Sequence, residues 1–143
     1  MTKPLVSIIT PCYNGEAFLK RYFESILNQT YPNLELIFIN DGSTDRTEEI
    51  ALSYRERLEK RGITYIYEKQ ENAGQAAALN RGLKLFTGEY LTWPDSDDVM
   101  VSDAVEKKVD YLEQHPDYGF CICKTKVVNE NNPEMKCGYY ERM

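Results

Sequence analysis

Apolar positions follow two different periods along the chain, one typical of buried strands and one typical of helices. Short apolar runs that are bounded by turn residues predict strands. These runs lie at residues 5–10, 34–39, 63–67 and 90–93, and a longer one lies at 118–128. Between them, apolar residues recur at helical spacing, which predicts amphipathic helices. These segments lie at residues 16–29, 45–60, 75–86 and 102–114.

The order of strands and helices determines the fold class that we expect. Strands that alternate with helices form parallel sheets, because each helix carries the chain back to the start of the next strand. We therefore predict an α/β fold with a mostly parallel, Rossmann-like sheet and helices on both faces. A chain of 143 residues has the size of one domain, and we expect a single domain over residues 1–143.

Polar clusters follow three of the predicted strands. Residues 11–14 follow the first strand, residues 40–43 the second and residues 95–98 the fourth. Because the carboxyl ends of parallel strands meet at one edge of a sheet, we expect these clusters to surround a ligand crevice there.

The cluster Asp95-Ser96-Asp97-Asp98 brings carboxylates close together, where they repel one another. A divalent cation removes this repulsion, and Mg²⁺ and Mn²⁺ both prefer oxygen ligands. Mg²⁺ typically combines one or two protein carboxylates with substrate phosphates, so the cluster predicts a cation site for a diphosphate. An acidic turn that caps the next helix is the simpler alternative. The position directly after a strand, beside two other polar strand ends, favours the ligand site.

Composition and charge exclude several partners. The net charge of −6 argues against nucleic-acid binding, which requires a basic surface. No apolar stretch reaches the ~18 residues of a membrane span, and the apolar segment 5–9 is too short for a signal peptide. We therefore expect a cytoplasmic protein that is at most peripheral to the cytoplasmic face of a membrane. Of its four cysteines, Cys121, Cys123 and Cys137 could bind zinc with His115, but a C-x-C pair lacks the usual C-x₂₋₄-C spacing. We therefore expect reduced, mostly buried thiols.

Four strings of sequence are more specific than any single cluster. They read VSIITPCYNGEAFL, SILNQTYPNLELIFINDGSTDRT, NAGQAAALNRGL and TGEYLTWPDSDD. In this order and spacing, between Val6 and Asp103, they resemble the family 2 glycosyltransferases. The resemblance implies the nucleotide-sugar-binding half of a GT-A fold. It also implies metal-dependent, inverting transfer of a sugar from a nucleotide-diphospho-sugar, with a UDP-sugar expected, to a glycan, a lipid-linked molecule or another acceptor.

The resemblance implies nucleotide-binding roles for residues at the first two strand ends. Pro11 and Tyr13 would line the base pocket, with Tyr13 stacked on uracil, and Asp41 would accept a hydrogen bond from the base N–H. Simpler alternatives are ordinary packing for Tyr13, since the chain has 11 tyrosines, and a turn-forming role for Asp41.

The resemblance places the metal and the donor sugar at the other two strings. Asp97 would be the direct metal ligand, as the last residue of the D-x-D motif, and the metal would be Mn²⁺ or Mg²⁺. Asp95 would contact the ribose or the metal, and Asp98 would support the sugar or the water shell of the metal. Further contacts to the diphosphate or the donor sugar are implied for Asn72, Gly74 and Asn80.

Other functional classes fit the sequence less well. A nucleotidyltransferase usually carries a Gly-rich, basic loop after the first strand, whereas residues 11–16 contain one Gly and no Lys or Arg. A nicotinamide-dependent oxidoreductase would show G-x-G-x-x-G at that place. The alternative that stays open is a non-catalytic module that binds a nucleotide-sugar.

The catalytic base of the family lies well downstream of the D-x-D motif, and only residues 98–143 follow Asp97. Glu130, Glu134 and Glu141 lie in this part, but nothing in their context marks one of them as the base. We therefore expect the chain to be an N-terminal portion, truncated before the acceptor-binding part. We predict that it binds donor nucleotide and transfers sugar poorly or not at all.

Calorimetry with UDP and Mn²⁺, followed by a glycosyl-transfer assay on the same sample, tests this prediction. Binding without turnover is the expected result. Steady turnover by the 143-residue chain would contradict it.

Overall fold

The computed structural model describes residues 3–128, 131 and 136–140, which belong to two compact units that divide after Glu106. The first unit contains the strands β1 Val6–Cys12, β2 Leu34–Asp41, β3 Thr64–Gln70 and β4 Tyr90–Thr92. It also contains the helices α1 Leu19–Leu27, α2 Thr47–Ser53, α3 Arg55–Lys60 and α4 Gln75–Gly82. The remaining elements are α5 Ala104–Gln114, β5 Thr125–Val128 and β6 Lys136–Tyr140. The expected single domain over residues 1–143 stays a prediction.

The strands of the first unit form one parallel sheet in the order β3-β2-β1-β4. Val6 of β1 pairs with Leu34 of β2 on one side and with Tyr90 of β4 on the other. All residues of β1 and β2 are buried, as in central strands that are covered on both faces. The predicted α/β fold with a mostly parallel sheet is therefore confirmed.

Helix α4 covers one face of this sheet. Its residue Ala78 packs in a buried cluster with Ile9 of β1 and with Ile37 and Ile39 of β2. A Cβ atom at Gly82 would lie 2.3 Å from the Cγ2 atom of Ile9. The helix therefore approaches β1 more closely than a side chain at this position would permit.

An aromatic cluster covers the opposite face. The Phe23 ring of α1 lies 5.5 Å from the Phe38 ring of β2, and it stacks on the Tyr54 ring at 4.6 Å. Tyr22 of the same helix packs edge-on against Phe23 and hydrogen-bonds through its hydroxyl to Thr10 of β1. Burial of such rings is a large part of the hydrophobic stabilisation of a core. Helices thus lie on both faces of the sheet, as predicted.

Two helices differ from the sequence-based prediction. The helix expected over residues 45–60 is divided into α2 and α3 at Tyr54, the residue whose ring is held in the aromatic core. The helix expected over residues 75–86 ends at Gly82. There the Leu85 N–H donates to the Gly82 carbonyl at 2.9 Å, which is the tighter turn common at helix ends.

The last predicted strand, over residues 118–128, is shorter than expected. Regular pairing begins at Thr125, which lies opposite Tyr140 in the antiparallel ladder of β5 and β6. The other elements differ from the predicted ranges by only a few residues at their ends. Among the described helices, none combines the length and the apolar character that crossing a membrane requires.

A buried carboxylate, that of Glu35, fixes the position of the turn that precedes β4. Glu35 of β2 is 2% exposed, and it accepts hydrogen bonds from the N–H and the hydroxyl of Thr87 at 2.6 and 2.9 Å. It also accepts a hydrogen bond from the Ser7 hydroxyl, which in turn accepts one from the Gly88 N–H at 2.9 Å. The turn at residues 87–88 is therefore tied to β1 and β2, and this position determines where β4 begins.

Replacing Glu35 by Leu is expected to destabilise the first unit strongly. The substitution leaves buried N–H and O–H donors without their acceptor, and each such donor costs about 1–3 kcal/mol. We expect a total loss of about 2–4 kcal/mol in the free energy of unfolding, measured by urea denaturation. Glu56→Leu is the control, because that carboxylate pairs with Lys60 at the surface, and its denaturation midpoint should stay close to that of the unsubstituted chain. Equal midpoints for the two variants would contradict a structural role of Glu35.

Candidate functional site

A cavity of about 350 Å³ lies beyond the carboxyl ends of the central strands. Four separate segments of the chain form its walls, namely the end of β1, the end of β2, the start of α4 and the acidic loop after β4. The predicted site residues among its lining are Pro11, Tyr13, Asp41, Asp95 and Asp97. The structure thus brings together residues that are far apart in the sequence, at the edge of the sheet where a ligand crevice is expected.

Two loops on one side of this cavity are joined by hydrogen bonds. Asn14, which has a φ of 50°, accepts a hydrogen bond from the Thr44 N–H at 2.8 Å through its Oδ1 atom. Its own N–H donates to the Ser43 hydroxyl at 3.0 Å. In the next residues, the Glu16 N–H donates to Asp45 at 3.0 Å. These bonds hold the loop after β1 against the loop after β2, and we call them the paired loops, residues 13–16 and 43–47.

Tyr13 projects from the paired loops. Its side chain is 53% exposed although it lines the cavity, so core packing does not account for its position. The flat face of an exposed tyrosine ring can stack on a nucleic-acid base. The role of Tyr13 beside a base stays a prediction.

Asp41 is a buried carboxylate at the end of β2. Its oxygens accept hydrogen bonds from the Gln70 side chain at 2.7 Å and from the Ala73 and Gly74 N–H groups, each at 2.9 Å. Burial raises the pKa of Asp41, but these hydrogen bonds outweigh burial, so the pKa lies below its ordinary value. Asp41 is therefore ionised at neutral pH and fixes the segment that leads into α4.

The acidic loop after β4 is bound to α4 through Gln75 and to the end of β1 through Cys12, and it also contains an internal hydrogen bond. The Gln75 side chain of α4 donates through Nε2 to Asp95 Oδ1 at 2.7 Å, and the Asp98 N–H donates to the Asp95 carbonyl at 3.1 Å. Ser96 forms a side-chain hydrogen bond with the thiol of Cys12, whose pKa is raised by burial in spite of that bond. Burial raises the pKa of Asp98, and the neighbouring charges of Asp97 and Asp95 raise it further.

The carboxylates at this cavity can supply part of the ligand shell of a divalent cation. Within the described ranges, no three His, Cys, Asp or Glu side chains are arranged to hold a metal ion. Asp95 and Asp97 both line the cavity, and Mg²⁺ typically takes one or two protein carboxylates and completes its shell with phosphate oxygens and water. The two carboxylates therefore fit Mg²⁺ or Mn²⁺ that arrives together with a diphosphate.

Four predicted site residues lie outside the cavity lining, namely Asn72, Gly74, Asn80 and Asp98. Gly74 has a φ of 90° and its N–H is bound to Asp41, which gives it a structural function. Asn80 is an exposed residue of α4. Their contacts to a donor stay predictions, and Glu130, Glu134 and Glu141 lie outside the described residues.

Sequence reasoning did not single out Gln75 or Asn14. For Asn14 a signal was present, because Asn followed by Gly favours a turn with positive φ. Gln75 lies within the third of the four strings, but the sequence offers no signal for its bond to Asp95, which lies 20 positions further along the chain. Only the packing of α4 on the sheet brings the two side chains together.

Comparison with known proteins places these features in a family. The model of the family described as glycosyl transferase family 2 matches residues 7–140. An uncharacterized glycosyltransferase of Rickettsia prowazekii is 38% identical over 135 residues, which is 94% of this chain and 40% of that protein. The putative teichuronic acid biosynthesis glycosyltransferase TuaG of Bacillus subtilis is 37% identical over 77% of this chain and 42% of its own length. The chain thus spans less than half of these relatives.

Solved structures show the same fold. TarS of S. aureus, in a crystal structure of its residues 1–349 with UDP-GlcNAc, is similar with a TM-score of 0.72 and 26% identity. The match covers 78% of this chain and 32% of that one. The mannosyltransferase PcManGT of Pyrobaculum calidifontis, in complex with GDP-Man and Mn²⁺, has a TM-score of 0.70 and 30% identity over 78% of this chain and 33% of its own.

Gly42→Ala is expected to displace the segment that Asp41 holds. Gly42 has a φ of 72°, and a Cβ atom there would lie 2.6 Å from the backbone nitrogen of Asn72. Gly62→Ala is a matched control, since Gly62 has a φ of 84° and open space around its Cβ position. The control should lower the free energy of unfolding by about 1–2 kcal/mol through backbone strain alone. Urea denaturation should show a larger loss for Gly42→Ala, and equal losses would contradict the close contact.

Proposed function

Because the chain belongs to glycosyl transferase family 2, we propose that its cavity binds the nucleotide and diphosphate of a nucleotide-sugar donor. The observation that carries this proposal is the meeting of Tyr13, Asp41 and the carboxylates of Asp95 and Asp97 around one cavity. An aromatic face and several carboxylates in one cavity match the two chemically different parts of a nucleoside diphosphate.

The two residues proposed to contact the base, Tyr13 and Asp41, favour a UDP-sugar as the donor. An ionised carboxylate offers about four acceptor positions, and Asp41 uses three of them within the chain. One position is therefore left for the N–H of a base such as uracil, whose face Tyr13 would cover. TarS was crystallised with UDP and UDP-GlcNAc, whereas PcManGT was crystallised with GDP-Man. On the basis of Tyr13 and Asp41, we propose UDP as the nucleotide of the sugar donor.

The carboxylates of Asp95 and Asp97 support a dependence of donor binding on Mn²⁺ or Mg²⁺. Asp97 would be the direct ligand and Asp95 the second carboxylate at the cation. When bound, the cation neutralises the charge that develops on the diphosphate as the bond to the sugar breaks. Asp98 would accept hydrogen bonds from the water shell or the sugar. The complex of PcManGT with Mn²⁺ supports a cation in a protein of this fold.

The reaction that follows from this donor is transfer of the sugar to an acceptor hydroxyl, with inversion at the sugar carbon. Such a reaction requires a general base that removes the hydroxyl proton. We propose a glycan, a lipid-linked molecule or another hydroxyl compound as the acceptor. The family relationship supports the transfer, and the cavity geometry supports the donor part of it.

Asp97→Ala is expected to abolish metal-dependent binding of UDP while leaving the fold intact. Removal of a ligand should weaken UDP binding in Mn²⁺ by at least about tenfold, judged by the effects of changes in metal sites. Calorimetry with UDP, in Mn²⁺ and in EDTA, measures the loss, and circular dichroism checks the fold. Asp117→Ala is the control, because Asp117 is an exposed residue outside the cavity lining. An unchanged affinity for UDP in Mn²⁺ would show that the metal assignment is wrong.

A further inference from the structure

Gln75 connects the part of the chain bound to Asp41 with the acidic loop. It is the first residue of α4, it lines the cavity, and its Nε2 atom donates to Asp95 Oδ1 at 2.7 Å. This is the side-chain hydrogen bond through which α4 contacts the acidic loop.

The backbone of Gln75 has a fixed position relative to the sheet. The two preceding residues, Ala73 and Gly74, donate their N–H groups to the buried carboxylate of Asp41. Further along the helix, Ala78 is buried against the isoleucines of β1 and β2. The helix is therefore held on both sides of its first turn, and Gln75 offers its amide to the acidic loop from a rigid support.

The Asp95 carboxylate needs such a support. Asp95 is exposed, and it lies beside the like charges of Asp97 and Asp98, whose repulsion favours rotation of the side chain away from them. A hydrogen bond from Gln75 to one carboxylate oxygen opposes this rotation. The bond leaves the second oxygen available to a ligand in the cavity.

The charge of the group that donates the hydrogen bond to Asp95 also matters for cation binding. A Lys or Arg in this position would hold Asp95 by an ion pair and would cancel the negative charge that attracts a cation. The amide of Gln75 is neutral, so it orients the carboxylate and leaves the charge unchanged. An amide is thus suited to a carboxylate that must remain a cation ligand.

We propose that Gln75 is a positioning residue that holds the Asp95 carboxylate toward the cation and diphosphate end of the cavity. The inference rests on the proposed function, because it requires Asp95 to act at that end. Gln75 then links the two groups of site residues. Asp41, which is proposed to contact the base, fixes the helix that carries Gln75, and Gln75 orients Asp95.

Gln75→Met tests this role, because Met has a similar length and lacks the amide donor. Binding of UDP is measured by calorimetry at a series of Mn²⁺ concentrations and again in EDTA, and the melting temperature is recorded. We expect the Mn²⁺ concentration for half-maximal UDP binding to rise about tenfold, as for other residues that orient metal ligands. The UDP affinity in EDTA and the melting temperature should not change. Gln114→Met, at the exposed last residue of α5, is the control and should leave all three quantities unchanged.

Three outcomes would overturn the proposal, each in a different way. An unchanged Mn²⁺ requirement in Gln75→Met would show that the hydrogen bond does not position Asp95. An equal loss of UDP affinity with and without Mn²⁺ would show that Gln75 contacts the nucleotide directly or only supports the fold. If the unsubstituted chain itself shows no Mn²⁺-dependent binding of UDP, the proposed function fails, and the positioning role fails with it.

Discussion

Three hydrogen bonds to the Asp41 carboxylate connect β2 with the end of β3, through Gln70, and with the segment that precedes α4, through Ala73 and Gly74. A buried carboxylate is unfavourable unless donors compensate for the lost water, and two of these donors are the backbone N–H groups of Ala73 and Gly74. The carboxylate and the segment therefore stabilise each other. Because α4 starts directly after this segment, the position of Gln75, and through it that of Asp95, depends on the same bonds.

The strands and the fold class could be predicted from the sequence for a physical reason. Central strands of a parallel sheet are buried on both faces, so β1 and β2 appear as mainly apolar runs that only Ser7 and Glu35 interrupt before their polar ends. The break between α2 and α3 could not be predicted in this way, because it is associated with Tyr54 and its contact with Phe23, a residue of another helix. The end of α4 at Gly82 likewise accompanies close packing on Ile9, which no local pattern reveals.

The candidate site was predicted where it depends on the topology of the sheet. Tyr13, Asp41 and Asp97 follow strands, and strand ends converge whatever the details of packing. Contacts between side chains that belong to different segments were not predictable, and the bond between Gln75 and Asp95 is the main example. The resemblance in sequence predicted the site residues, whereas the hydrogen bonds that hold them could be identified only from the structure.

The paired loops, residues 13–16 and 43–47, have a consequence for exchanging parts between relatives. Each loop supplies acceptors for backbone N–H groups of the other, as in the bonds between Asn14 and Thr44 and between Glu16 and Asp45. A graft of one loop alone from a homologous protein would leave donors of the other loop without acceptors. The two loops therefore form a single structural module for such exchanges, although about 30 positions separate them in the sequence.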